Sequence, residues 1–379
     1  MKTLLRLLAI LLISFCLFVL GLYLTGNQYL LKGVWATYLH GEKTATINDA
    51  QFFDTRTVPA THPEDWPLAS GYNQRNLSDT LQSTLEKTES VAFLVIKEGE
   101  ILIEKYWDGY SSTSRSNSFS MAKSITTLLA QIAIQQGYIG SWDDPVFQYL
   151  PDIQGPFSRE LKLRHLSMMT AGLQWDEGYT SPFGITAQAY YGSNIAKLLY
   201  DKVPAVNEPG VEFNYQSGAT QLLGLVIAKA TGKTISQFAS EALWKPLQAN
   251  EGATWHLDSK DGTELTYCCF NSNARDFARI GQLLLHYGKW KGHSIIDSTF
   301  IATASKPGPA EQYGWSFWLD NRHLTPVYYM RGILGQYVIV MPEKNLVVCR
   351  LGKGRLPNKG HHPADVKVII EETLKYFGS

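Results

Sequence analysis

The sequence predicts a mixed α/β (α+β) fold: an antiparallel sheet flanked by helices, with an inserted helical subdomain, behind an N-terminal transmembrane helix. Three observations carry this reading. The chain opens on a long apolar run, segments of strand composition stand at both ends of the remainder, and helical signals fill the middle. Strands from the two ends of a domain can share one sheet, which leaves the central block as a helical layer with a cleft between them.

From Leu7 to Leu24 the chain is apolar except for Ser14 and the small Gly21. Such a run is long enough to cross the hydrocarbon core as a helix. Lys2 and Arg6 precede it, so the positive-inside tendency leaves the N-terminus in the cytoplasm and everything after Thr25 outside. Residues 1–25 are therefore read as a single-pass anchor in the inner (cytoplasmic) membrane, with the rest of the chain in the periplasm. Secretion after signal cleavage is the competing reading. Against it, the run exceeds the usual apolar core of a signal peptide, and no Ala-x-Ala follows.

Residues 26–75 read as an irregular extension, because Pro59, Pro63 and Pro67 interrupt any regular element. Leu77 to Glu89 has a helical pattern. Val91 to Ile96 and Ile101 to Trp107 are β-branched and aromatic runs joined by a Glu-Gly turn, the signature of a hairpin. After Phe119 comes a helix apolar on most of its circumference, from Met121 to Ile134, which must be buried on nearly all sides. Gly137 stops it. The helical subdomain spans about 142–246. Strand composition returns at Val327–Met330, Tyr337–Met341 and Leu346–Leu351, with a turn at Pro342 to Asn345 and a closing helix from Ala364 to Tyr376.

Composition narrows the function. Of 379 residues, 45% are hydrophobic and 18% charged, and Lys plus Arg (34) equals Asp plus Glu (34), so no basic face for nucleic acid is implied. Cys268, Cys269 and Cys349 would face an oxidising compartment, where one bridge is permitted but not assigned by sequence. Buried free thiols are the preferred reading. No cysteine pair has zinc spacing, and the chemistry read below from side chains alone needs neither a metal nor an organic cofactor.

Ser120-Met121-Ala122-Lys123 is the one Ser-x-x-Lys in the chain. Three residues apart at a helix start, the two side chains share a face, and the amine can reach the hydroxyl. The Ser120 N–H is then a free donor at a helix N-terminus, where developing negative charge is favoured. The bare pattern is weak, but an aliphatic buried helix has no structural use for a lysine in its first turn. Burying an ammonium is costly, and a neutral amine is what a general base requires.

Phe119 to Ser124 resembles the nucleophile motif of the serine β-lactamase and penicillin-binding superfamily. Leu163 to Leu173 and Asn273 to Gly281 are similar to scaffold segments of its class C and esterase-like branch, close to the 6-aminohexanoate-oligomer hydrolases. The resemblance covers about residues 77 to 379 and implies a β-lactamase-like serine hydrolase domain over 76–379, acting on a small amide or ester. It implies Tyr215 as the proton relay, chosen over the other Tyr-x-Ser tyrosines, Tyr110, Tyr179 and Tyr191, because Pro209 to Asn214 leads into it and Gly218 opens a helix. The family's Lys-Thr-Gly or His-Thr-Gly is absent. Arg331 to Gln336 is its best counterpart, with Gly332 letting backbone approach substrate and the Ile333 N–H as second oxyanion donor beside that of Ser120. Ser217 stands where β-lactamases commonly have asparagine and is expected to border substrate. The cationic clamp for penicillins is thus incomplete, although Arg331 could partly replace it. Asp176, Glu177 and Tyr179 follow the Gly172 turn at a position that in the family borders the cleft, but a solvated loop is the preferred reading of each, and His361-His362 is read as surface. Gly232, in a Thr-Gly-Lys-Thr run, is read as a helix C-terminal glycine. A membrane-tethered protein on the same scaffold that binds penicillin or senses peptidoglycan without turnover is the rival reading.

Overall fold

The computed structural model describes residues 1–322 and 327–378. Helix α1 (Lys2–Leu24) is, among the described residues, the one helix long and apolar enough to cross a membrane, and its most apolar window is wholly unburied. The extension carries more order than its prolines suggest: helix α2 (Tyr29–Ala36) and strand β1 (Thr55–Val58) both lie within it. Helix α3 (Asp79–Lys87) follows, started by Ser78, whose hydroxyl accepts from the Leu81 N–H.

Next come β2 (Ser90–Lys97), β3 (Glu100–Tyr106), β4 (Ser116–Asn117) and α4 (Met121–Gln135). The central block holds α5 (Val146–Tyr149), α6 (Leu163–Ser167), α7 (Ile185–Tyr191), α8 (Ile195–Lys202), α9 (Ser217–Thr231) and α10 (Ile235–Ala239). Gly232 ends α9 at φ 67°, as expected of a C-terminal glycine. The chain then runs through β5 (Ala253–His256), β6 (Phe270–Ser272), α11 (Ala274–Leu285), β7 (Lys289–Trp290), β8 (His293–Ser294), α12 (Ser298–Ala304), β9 (Trp318–Asp320), β10 (Val327–Gly332), β11 (Gln336–Met341), β12 (Leu346–Gly352) and a closing helix, α13 (Ala364–Phe377).

The main sheet has six strands in the order β3-β2-β12-β11-β10-β9, antiparallel at every pairing. Strands from both ends of the domain do share it, as their placement in the sequence predicts. Helix α11 lies on this sheet, and Gly281 permits the approach: a Cβ there would meet Val347 Cγ1 at 2.5 Å and Val338 Cγ1 at 2.7 Å. A smaller sheet, β1-β5-β6-β4, ties the extension to the strand that leads into α4. Ile47 and Val58 of the extension belong to the same apolar core as α4. Thirteen of the fifteen residues of α4 are buried, so this helix is the axis around which both sheets and the helical block pack.

The cysteines correct one expectation. Cys268 and Cys269 are bridged to each other, while Cys349 is free and buried. Adjacent side chains in extended backbone point to opposite faces. Here Cys269 has φ 71°, which turns the chain so that the two sulfurs meet.

Candidate active site

Ser120 is presented by a sharp turn. Phe119, between β4 and α4, has φ 44°, a region that costs a bulky residue energy unless its surroundings enforce it. They do: its N–H donates to Asn117 Oδ1 at 2.9 Å, and the Asn117 N–H donates to the Ile47 carbonyl of the extension at 2.8 Å. Asn117 is tied further back through Tyr190, whose hydroxyl donates to Asp49 Oδ2 at 2.9 Å. Ser120 is the N-cap of α4, half-buried at the bottom of a cavity of about 120 Å³.

One turn along, Lys123 is 1% exposed. Its Nζ lies 3.0 Å from Ser120 Oγ, 2.9 Å from Ser217 Oγ and 2.9 Å from the Tyr267 carbonyl oxygen. Burial pushes the amine down to about 8, and the Glu177 charge partly opposes this. Tyr215 packs beside it, with the Lys123 amine 5.1 Å from the ring centroid. The Tyr215 phenol is raised, first by burial and then by Glu177, while its hydrogen bond to Ser120 and the Arg331 charge pull the other way.

The turn after β10 supplies the facing wall. Gly332 sits against the nucleophile segment, where a Cβ would fall 2.1 Å from the Ser118 carbonyl oxygen. Only glycine lets the strand come this close, and the closeness brings Ile333 to the same cavity as Ser120. The turn is held from behind. Arg350, fully buried, donates from Nη1 to the carbonyls of Leu334 at 3.2 Å and Gly335 at 2.6 Å, and Gln336 Nε2 donates to the Ile333 carbonyl at 3.2 Å. Arg331 is held at the edge of this wall: its guanidinium stacks 3.3 Å from the centroid of the Trp318 ring, and Nη1 donates to the His361 carbonyl at 3.0 Å.

Glu177 overturns the preferred reading of its loop. Expected in a solvated loop, its carboxylate accepts from the Ser217 N–H at 2.7 Å, the Ser217 hydroxyl at 2.5 Å, Trp175 Nε1 at 2.6 Å and the Tyr179 hydroxyl. Four donors satisfy a carboxylate fully, and that is why the loop folds inward. Tyr179 stays exposed but borders the cavity, and Asp176 remains in solvent. Ser217 accordingly spends its polar atoms on Lys123 and Glu177 while still lining the cavity. Sequence reasoning missed Tyr267, since an isolated tyrosine beside two cysteines carries no signal. Its phenol has no hydrogen-bond partner among the described residues. Of the histidine pair, His361 is exposed, but His362 is buried, with Nδ1 2.6 Å from the Tyr329 hydroxyl.

The family model described as Beta-lactamase matches residues 77–369. The 6-aminohexanoate-dimer hydrolase of Paenarthrobacter ureafaciens is 25% identical over 305 residues, 74% of this chain and 77% of its own. A solved Bacillus anthracis structure bearing the 6-aminohexanoate-dimer hydrolase name matches with TM-score 0.77 at 21% identity, over 92% of this chain and 96% of its own. A family VIII carboxylesterase structure matches with TM-score 0.64 at 15% identity, over 82% and 99%. The matched stretch contains the turn at Ser120, the buried Lys123 and the Gly332 turn, and the chain belongs to the Beta-lactamase family as a serine hydrolase.

Proposed function

We propose that the protein is a membrane-anchored, extracytoplasmic hydrolase that cleaves a small amide or ester through an acyl-Ser120 intermediate. The observation that carries this is the set of partners around Lys123. The Tyr267 carbonyl can only accept. Ser217 must give its hydroxyl proton to the Glu177 carboxylate, which accepts only, so the Ser217 oxygen is left to accept from Lys123. In the neutral form the amine's two N–H groups serve these two acceptors, which leaves its lone pair to take the proton of Ser120, whose Oγ lies 3.0 Å away. Burial favours that neutral form.

Attack of Ser120 Oγ on the carbonyl passes its proton to Lys123, and the N–H groups of Ser120 and Ile333 receive the oxyanion. Tyr215, held in its neutral phenol form by burial, is a relay rather than a resident base: it hands its proton to the leaving group and takes in return the one that Lys123 received from Ser120. Water attacking the acyl-serine by the reverse route completes turnover. A linear amide is consistent with the name of the Paenarthrobacter relative.

Substrate preference follows from charge. A β-lactam carboxylate needs a fixed cation on the cleft strand, yet Arg331 is engaged by Trp318 and the His361 carbonyl, and Glu177 adds negative charge beside Ser217. A lost charge-assisted hydrogen bond costs about 1.5–3 kcal/mol, roughly one to two powers of ten. Short-chain p-nitrophenyl esters should therefore show a higher kcat/KM than a chromogenic cephalosporin. A cephalosporin preference would mean that a cation completes the clamp after all.

Orientation is tested separately. Lys2 and Arg6 precede or open the apolar run of α1, so a reporter active only in the cytoplasm, fused after Ser379, should be silent. Strong reporter activity would reverse the topology.

A further inference from the structure

The segment that follows α1 is apolar on the wrong side for a protein surrounded by water. Over residues 25–41 Lys32 is the one formally charged side chain, and it points inward, its Nζ 4.1 Å from the centroid of the Phe53 ring. Tyr29, Gly33 and Ala36 also face the body: Gly33 packs on the Tyr191 ring, and the Tyr29 hydroxyl donates to the Pro182 carbonyl at 3.1 Å. The outward positions are Val34 (45% exposed), Trp35 (45%), Tyr38 (65%) and Leu39 (71%). A soluble surface helix has the opposite arrangement, with its charge outside. Contiguous exposed apolar side chains mark a partner, and Trp and Tyr are the residues that sit at the level of lipid headgroups.

What covers this face is settled by where it lies along the chain. Leu24 ends α1 and Tyr29 begins α2, so only four residues lie between them and the five steps of chain span at most about 18 Å. If α1 crosses a bilayer, α2 cannot be far from the leaflet it leaves. Leu39 is likewise only five residues from Thr44, which lines the Ser120 cavity, again at most about 18 Å.

We infer that Val34, Trp35, Tyr38 and Leu39 form a membrane-seating face, which lies in the headgroup layer of the leaflet from which α1 emerges and holds the catalytic cavity at the lipid surface. The inference rests on the anchored reading of α1. Its physical basis is that of interfacial helices, an apolar face buried in the headgroup and upper acyl region, here with the tether already supplied by the neighbouring helix. The domain is thereby fixed in orientation rather than swinging on a flexible stalk.

The experiment uses the full chain in lipid nanodiscs, its intact mass confirming that Lys2–Leu24 is retained. A Cys16→Ser, Leu39→Cys protein carries an environment-sensitive nitrobenzoxadiazole probe at position 39. Lipids with a nitroxide in the headgroup should remove most of the probe emission, and aqueous iodide should leave it largely intact. Adding Trp35→Asp and Tyr38→Asp should exchange these two results, while hydrolysis of water-soluble p-nitrophenyl acetate stays unchanged and shows that the fold is kept. A probe open to iodide and insensitive to nitroxide lipid in the unsubstituted face overturns the inference. The optical readout is independent of acyl transfer, so failure of the proposed chemistry at Ser120 and failure of the seating face are told apart.

Discussion

Ser120→Ala should abolish labelling by a fluorophosphonate probe and lower kcat/KM by about 10⁴-fold or more, the loss typical when a nucleophile is removed and only substrate binding and oxyanion stabilisation remain. The effect should be catalytic and not structural. Ser120 is half-buried at an N-cap and its side chain makes no capping hydrogen bond to the backbone of α4. Lys123 would keep its contacts to Ser217 Oγ and the Tyr267 carbonyl. Loss of the remaining bond to Ser120 should cost about 1 kcal/mol of stability. A thermal melt run beside the labelling separates the two causes. Labelling that persists in a folded Ser120→Ala protein would place the nucleophile elsewhere.

The parts of this site that were legible in the sequence are those built from local chemistry. Ser120 and Lys123 are three residues apart on one helix, so their contact follows from helix geometry once the apolar run after Phe119 is recognised. The two-ended sheet was legible for a similar reason: β2 and β3 declare themselves by composition and a tight turn, as do β11 and β12. What was not legible is what needs long-range closure. Glu177 looks like any loop acid until Ser217, Trp175 and Tyr179 surround it. The bridge between Cys268 and Cys269 depends on the left-handed backbone at Cys269, which no residue type signals. The extension reads as irregular because its prolines do break it up. Its role arises from tertiary contacts instead, as β1 pairs with β5 and the Ile47 carbonyl accepts from Asn117 next to the nucleophile turn. Tyr215, Gly332 and Ile333 stand between these cases: their types and order are readable only through resemblance, and Gly332 acquires its physical reason from the Ser118 carbonyl that leaves no room for a Cβ.

Lys123 carries the second large effect, and its signature is in the pH dependence. A general base works as the neutral amine, and burial has brought this one down to about 8 from an ordinary 10.5. For a neutral ester substrate, kcat/KM should rise about tenfold per pH unit below that value and level off above it, roughly a fifty-fold gain between pH 6 and pH 8. Tyr215 cannot produce this limb, because burial moves its phenol upward and away from neutrality. Lys123→Met, close in length and uncharged, should cut kcat by about 10³-fold or more and remove the limb. Stability gives an independent reading of the same group. Because its folded pKa is depressed, the folded chain binds fewer protons here than the unfolded chain between about 8 and 10.5, so this lysine makes the protein more stable as pH rises through that window and penalises it below. In Lys123→Met that contribution to the slope of unfolding free energy against pH should vanish together with the kinetic limb. A variant that retains both the rise in kcat/KM and near-normal turnover would show that another group takes the Ser120 proton.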